Sequence, residues 1–222
     1  MVKGAIYDFD DLMVNSYPLH ILSWDLVLEK YNHKIEEIPE AIRRQFVGKR
    51  VIDIAQEVVG FFNLELPAKE LDKVRTEIFL GLIKNRLALM PGLIESLQFF
   101  KKHNYKIAVA SSARREYINV VLNKYSLGGY YDAVVSADDV SQGKPSPEIF
   151  LAAVEKLSLP TTDCVVLEDA NNGVVAAKAA GCKCIAVISP YTPKQDLSRA
   201  DVIIHSLVEI NDQILNGLKS VL

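Results

Sequence analysis

The chain has 222 residues, half of them hydrophobic, with 25 basic residues against 28 acidic ones and a formal net charge of -3. That length carries one full core with room for an inserted subdomain, and no apolar stretch is long enough to span a bilayer. So small a charge, with no basic block, argues against non-specific nucleic-acid or membrane binding.

The chain opens MVKGAIYDFDDLMVNS, where charged residues break the apolar run too early for a secretory leader. Ala5-Ile6-Tyr7 reads as a short buried strand ending at Asp8, Asp10 and Asp11. Strand alternation places Asp8 and Asp10 on the same side of the chain. A helical block follows, with amphipathic helices expected over 18–31, 39–46, 50–62 and 67–86, each beginning near a proline or a polar start signal. It closes at Leu89-Met90-Pro91-Gly92.

From Gly92 the pattern alternates. A helix over 93–103 precedes a buried strand, KIAVA, at 106–110. A helix over 115–125, closed by Gly128-Gly129, precedes a short strand at 133–136. A helix over 147–157 leads to the strand CVVL at 164–167. A helix over 173–180, ended by Gly181, leads to a strand at 183–188. A strand at 201–204 and a terminal helix over 207–221 complete the chain. Cys182 and Cys184 sit two apart in an apolar strand and are expected to pack as small hydrophobes. With Cys164 they make an odd count without CxxC or zinc-ligand spacing, so a reducing cytoplasm is the simplest location. Strands alternating with helices of this length form βαβ units. The expected fold is α/β, a Rossmann-like parallel sheet core from 1–15 and 90–222, with 16–89 inserted after the first strand as a helical cap.

Open parallel sheets bind ligands beyond the carboxyl ends of their strands. Read at those ends, the chain offers Asp8 and Asp10, then Ser111 and Ser112, then Lys144 in GKPSP, then Glu168 and Asp169. Each residue alone also suits a structural role, as a helix cap, a loop lysine or a solvated acidic turn. Together they match phosphoryl transfer. A carboxylate nucleophile, Asp8, would split one displacement into two through an acyl phosphate. Mg2+ held by Asp8, Asp169 and a backbone carbonyl near Asp10, with Glu168 behind them or bridging through water, would offset the repulsion between Asp8 and a phosphate dianion. Lys144 would add positive charge, and Ser111, with Ser112 beside it and nearby backbone N–H groups, would bind the phosphoryl oxygens. Asp10 would protonate the leaving oxygen and then activate water or another hydroxyl.

The pieces YDFDDLMVNS, AVASSA, GKPSPEIF and VVLEDANNGVVAAKAAG, with the Met90-Pro91-Gly92 return, resemble the haloacid dehalogenase superfamily. The closest branch is that of β-phosphoglucomutase and related small sugar-phosphate phosphatases with a helical cap. The resemblance implies Asp8 as nucleophile, Asp10 as acid/base, Ser111 and Lys144 at the phosphate, and Asp8, Asp10 and Asp169 around Mg2+ with Glu168 assisting. Asp11 stands where the family usually has Gly, and Asn15 where it usually has Asp. In the cap, His20 and Trp24 resemble mutase positions, and a mutase histidine here helps the cap engage the acid/base. Gly48-Lys49-Arg50 resembles a loop whose arginine meets a second phosphate, and Arg75 falls where the mutase has a lysine.

The expectation is hydrolysis of a small phosphate monoester, a sugar phosphate, by a monomer. Its alternative is β-phosphoglucomutase chemistry. A receiver-type phospho-acceptor needs no cap and carries its aspartate on a middle strand, and no GxGxxG follows any strand as a dinucleotide enzyme requires.

Overall fold

The structure is a computed structural model and describes residues 2–218. Six parallel strands form one sheet in the order β3-β2-β1-β4-β5-β6. They are β1 (Gly4–Tyr7), β2 (Lys106–Ala110), β3 (Ala133–Val135), β4 (Cys164–Glu168), β5 (Lys183–Val187) and β6 (Val202–Ile204). The first strand of the chain lies in the middle of the sheet. All four of its residues are buried, which explains a continuous apolar run in place of an alternating one.

Alternation sends Ala5, Tyr7, Val109 and Leu167 to one face, against α5 (Leu93–Lys102) and α6 (Arg115–Lys124). Ile6, Ala108, Val166 and Cys184 go to the other, against α7 (Glu148–Leu157) and α8 (Asn171–Ala179). Cys164, Cys182 and Cys184 are buried, unpaired and part of this second cluster.

Between β1 and α5 lie α1 (Tyr17–Leu28), α2 (Glu40–Arg43), α3 (Val51–Phe62) and α4 (Ala68–Arg86). They form an apolar cluster of their own around Trp24, Leu28, Ile54, Val58 and Leu71. The two connections to the sheet run side by side: Val14 bridges Leu89 antiparallel, Met90 N donates to Met13 O at 2.9 Å, and Asn15 N donates to Ala88 O at 2.9 Å.

Three sequence expectations change. The helix expected over 39–46 is the single turn α2 followed by a 3-10 turn, Arg44–Phe46, before the backbone extends at Val47 and turns left-handed at Gly48 (φ 80°). The end of α6 does not use Gly128-Gly129; Ser126 takes the left-handed position (φ 54°), and the glycines open a 3-10 turn, Gly128–Tyr130. The terminal helix is divided. Ser206 and Glu209 cap a 3-10 turn, Leu207–Glu209, and Asn211 accepts from Ile214 N to start α9 (Asp212–Gly217). Residues 219–221 of that expected helix lie outside the described residues.

Gly92 caps α5 at φ 82°, a left-handed conformation that disfavours side chains. A Cβ there would stand 2.3 Å from Val208 N and 2.8 Å from Leu207 C. Gly92→Ala should therefore destabilise the protein by on the order of 2–4 kcal/mol, combining overpacking with backbone strain. Urea unfolding measures this, and an unchanged midpoint contradicts the packing described.

Candidate active site

Strand register decides which side chains meet. Tyr7 is level with Val109 and with Leu167, and Asp8 N donates to Leu167 O at 3.0 Å. Asp8 therefore leaves β1 beside Glu168, the last residue of β4, and close to Ser111, just beyond β2. Lys144 reaches this edge from the loop before α7. Asp8, Lys144, Glu168 and Asp169 are all buried.

Lys144 Nζ donates to Asp8 Oδ1 and to Glu168 Oε1, each at 2.5 Å. The other oxygen of Glu168 accepts from Asp169 N and Ala170 N, both at 2.9 Å. Only glycine fits at position 173, since a Cβ there would lie 1.7 Å from Glu168 Oε1. Burial, with the charge of Glu168, raises the Asp8 pKa against the pull of Lys144. Burial and Glu168 likewise push Asp169 well above the usual carboxylate range. Burial opposes the charge on Lys144, but Asp8 and Glu168 outweigh it and hold its pKa above the ordinary value.

This site fits a hard divalent cation. Asp8, Glu168 and Asp169 each offer an oxygen, all within 4.8 Å of one another, and Asp169 Oδ2 is buried without a hydrogen-bond partner. Such a cation takes oxygen ligands and would relieve the repulsion that raises these pKa values. The side chain of Asp10 is not in this cluster. Its Oδ1 accepts from Tyr117 OH at 2.9 Å and faces His20 Nε2 at 3.4 Å. Burial would raise the Asp10 pKa, but His20 and Tyr117 outweigh it and hold it below the usual range.

The remaining sequence candidates divide. Ser111 Oγ accepts from Ala113 N at 3.0 Å, which leaves its O–H free to donate. Ser112 Oγ instead donates to Gly48 O at 2.7 Å, tying β2's end to the helical unit. His20 stacks on Phe79, ring centroids 4.2 Å apart, and its Nδ1 meets Arg75 Nη2. Burial and the charge of Arg75 lower the His20 pKa against the pull of Asp10. Arg75 is buried between Trp24 and Phe79, its guanidinium carbon 5.3 and 4.7 Å from the ring centroids. Lys49 pairs with Glu57 at 2.6 Å, and Arg50 grips both oxygens of Asp53 and donates to Ser141 O at 2.9 Å.

The two departures from the family pattern differ. Asp11 adopts φ 58°, and its Oδ1 accepts from Ser16 N at 3.1 Å and Tyr17 N at 2.8 Å, so it caps α1 where Gly could not. Burial and the charge of Asp10 raise its pKa to about 8. Asn15 Oδ1 is buried without a partner, and nothing in the structure explains the residue.

Sequence reasoning missed Tyr117, Phe79, and the pair of buried Asp72 with Arg114, which joins α4 to the sheet side. Tyr117 and Phe79 lie on amphipathic helices, where aromatic residues read as core. Together these groups line a cavity of about 500 Å³ over the sheet edge.

The profile of haloacid dehalogenase-like hydrolases matches residues 5–187. The chain belongs to this family. A phosphorylated carbohydrates phosphatase of Thermotoga maritima is 30% identical over 226 residues, covering 100% of each chain. A putative β-phosphoglucomutase of Thermotoga maritima matches with a TM-score of 0.71 and 28% identity over 100% of both chains. β-Phosphoglucomutase of Clostridium difficile shares the fold, with a TM-score of 0.85 and 22% identity over 99% of this chain and 98% of that one. As a member of the family, the chain is a phosphoryl-transfer enzyme, a hydrolase or phosphotransferase.

The raised acids give a pH signature. Without metal, the folded protein holds protons on Asp8 and Asp169 that the unfolded chain has released. That contribution is full below the ordinary carboxylate pKa and is lost as pH rises towards the raised value, about 8 for Asp8. Mg2+ should therefore raise the melting temperature more at pH 8 than at pH 5.5. Thermal melts with Mg2+ and with chelator test this; an equal increment at both pH values contradicts it.

Proposed function

We propose that the protein is a Mg2+-dependent phosphatase that hydrolyses a small phosphate monoester, of the sugar phosphate class, through a phospho-Asp8 intermediate. The observation that carries this reading is Asp8 buried at the strand end with one oxygen on Lys144. The other acids stand beside it and Asp10 stands apart, on Tyr117 and His20. The Thermotoga maritima relative, named for phosphorylated carbohydrates, supports the substrate class. A cavity of about 500 Å³ suits a small metabolite.

In this reading 1–15 and 90–222 are the catalytic core and 16–89 the cap. Asp8, Asp169 and a backbone carbonyl near Asp10 would hold Mg2+, with Glu168 assisting. Once bound, the ion supplies the positive charge that lets a phosphate dianion approach a carboxylate. An oxygen of Asp8 attacks phosphorus, the ester P–O bond breaks, and Asp10, whose proton affinity the negative phosphate raises as it enters beside it, gives a proton to the leaving oxygen. Asp10 then takes a proton from water, whose oxygen bonds to phosphorus as the Asp8–phosphorus link breaks. Lys144 and Ser111 stabilise the phosphoryl oxygens through both steps.

The second reading is β-phosphoglucomutase, favoured by the contact of His20 with Asp10 and by Arg75 behind it. Against it, Lys49 and Arg50, the groups resembling a second-phosphate loop, are engaged by Glu57 and Asp53. His20, Trp24 and Arg75 then contact the organic part of the substrate.

Phosphorus NMR of β-glucose 1-phosphate with Mg2+ and a trace of glucose 1,6-bisphosphate, followed by a panel of sugar phosphates, decides between them. Inorganic phosphate is the expected product. Asp8→Asn should lower turnover about 10⁴-fold or more, and Lys144→Ala about 10²–10³-fold. Glucose 6-phosphate would establish the mutase, and inertness across the panel would overturn both readings.

A further inference from the structure

Asp10 is held by more than the residues the phosphatase reading uses. Tyr117, on the first turn of α6, is buried with its O–H on Asp10 Oδ1 at 2.9 Å. Its ring meets Phe9 edge-on (centroids 5.2 Å, 85°) and Phe79 edge-on (4.9 Å, 83°). Phe9 separates Asp8 from Asp10 in sequence. Phe79 in turn stacks on His20, whose Nε2 faces the same Oδ1.

The two contacts differ in what carries them. His20 and Phe79 belong to α1 and α4, so their hold on Asp10 depends on where the helical unit sits. Tyr117 and Asp10 both belong to the sheet side, where Phe9 and Tyr117 share one apolar cluster. A carboxylate has two side-chain torsions to fix, and a neutral phenol donor fixes them without placing a competing charge beside the phosphate. With Oδ1 taken, Oδ2 is the oxygen left for proton transfer.

We propose that Tyr117 is the positioning residue of the acid/base, orienting the Asp10 carboxylate for proton exchange with the leaving oxygen and with water. The proposal rests on the phosphatase reading. Tyr117 keeps its own proton throughout. In the first step the proton passes from Asp10 to the ester oxygen as the P–O bond breaks. In the second it returns to Asp10 from the attacking water as the Asp8–phosphorus bond breaks.

Tyr117→Phe removes the hydroxyl and retains the ring between Phe9 and Phe79. The test compares kcat/KM for an alkyl phosphate, whose poor leaving group needs the proton, with that for p-nitrophenyl phosphate, whose leaving group does not. The ratio of the two does not depend on the fraction of folded enzyme. Y117F should lose about 10-fold or more on the alkyl ester, a part of the roughly 10²–10⁴-fold that general acid catalysis supplies, and about 3-fold or less on p-nitrophenyl phosphate. Asp10→Asn should show the same selective loss, larger. On the alkyl ester the loss should fall on kcat, with KM held. Equal losses on both esters, or none on either, overturn the positioning role. The alkyl ester is a sugar phosphate from the panel; a wild-type enzyme inert to the whole panel, or an unchanged ratio in D10N, overturns the phosphatase reading and this proposal with it.

Discussion

The site depends on an excess of buried negative charge at one point of a parallel sheet. The register of β1 against β4 sets Asp8 beside Glu168, and Asp169 follows directly. Lys144 is the one buried lysine among the described residues, and it meets two of these acids. One ammonium cannot neutralise three carboxylates. Desolvation and mutual repulsion therefore leave the cluster with either a bound proton or room for a cation. In the proposed reaction, Asp8 held in this state is matched to a substrate that arrives as an anion with a metal ion.

Asp10 escapes that crowding because different groups hold it. Tyr117 from the sheet side and His20 from the helical unit converge on one oxygen, with Phe79 and Arg75 stacked behind. The helical unit is fastened over the cavity at separate points: Asp72 to Arg114, Gly48 O to Ser112, and the carbonyls of Gln45 and Val47 to Asn172. Because α1 carries His20 and is capped by Asp11, its approach to the sheet and the setting of Asp10 are linked.

Much of this was legible in the sequence, for identifiable reasons. Short apolar runs such as KIAVA and CVVL are buried on both faces and bounded by polar residues, so their ends could be placed to within a residue. The acids and Lys144 stood out because they follow those ends. Lys49 and Arg50 were legible as basic residues, but their partners were not. Asp53 lies one turn on, whereas Glu57 reaches Lys49 only after α3 has formed. Tyr117 was hidden because a tyrosine on an amphipathic helix reads as core, and only the fold brings α6 to Asp10. The split near the C-terminus was missed because Ser206, Glu209 and Asn211 cap two short turns where hydrophobic spacing suggests one helix.

The central claim is that Asp8 itself becomes phosphorylated. Mixing enzyme and a substrate ester with Mg2+, quenching in acid during turnover and reducing with borohydride converts an acyl phosphate on aspartate to homoserine. Peptide mass spectrometry should find that conversion at position 8 and leave Asp10, Asp11 and Asp169 untouched. Modification at another carboxylate, or none at all while phosphate is being released, would contradict the account.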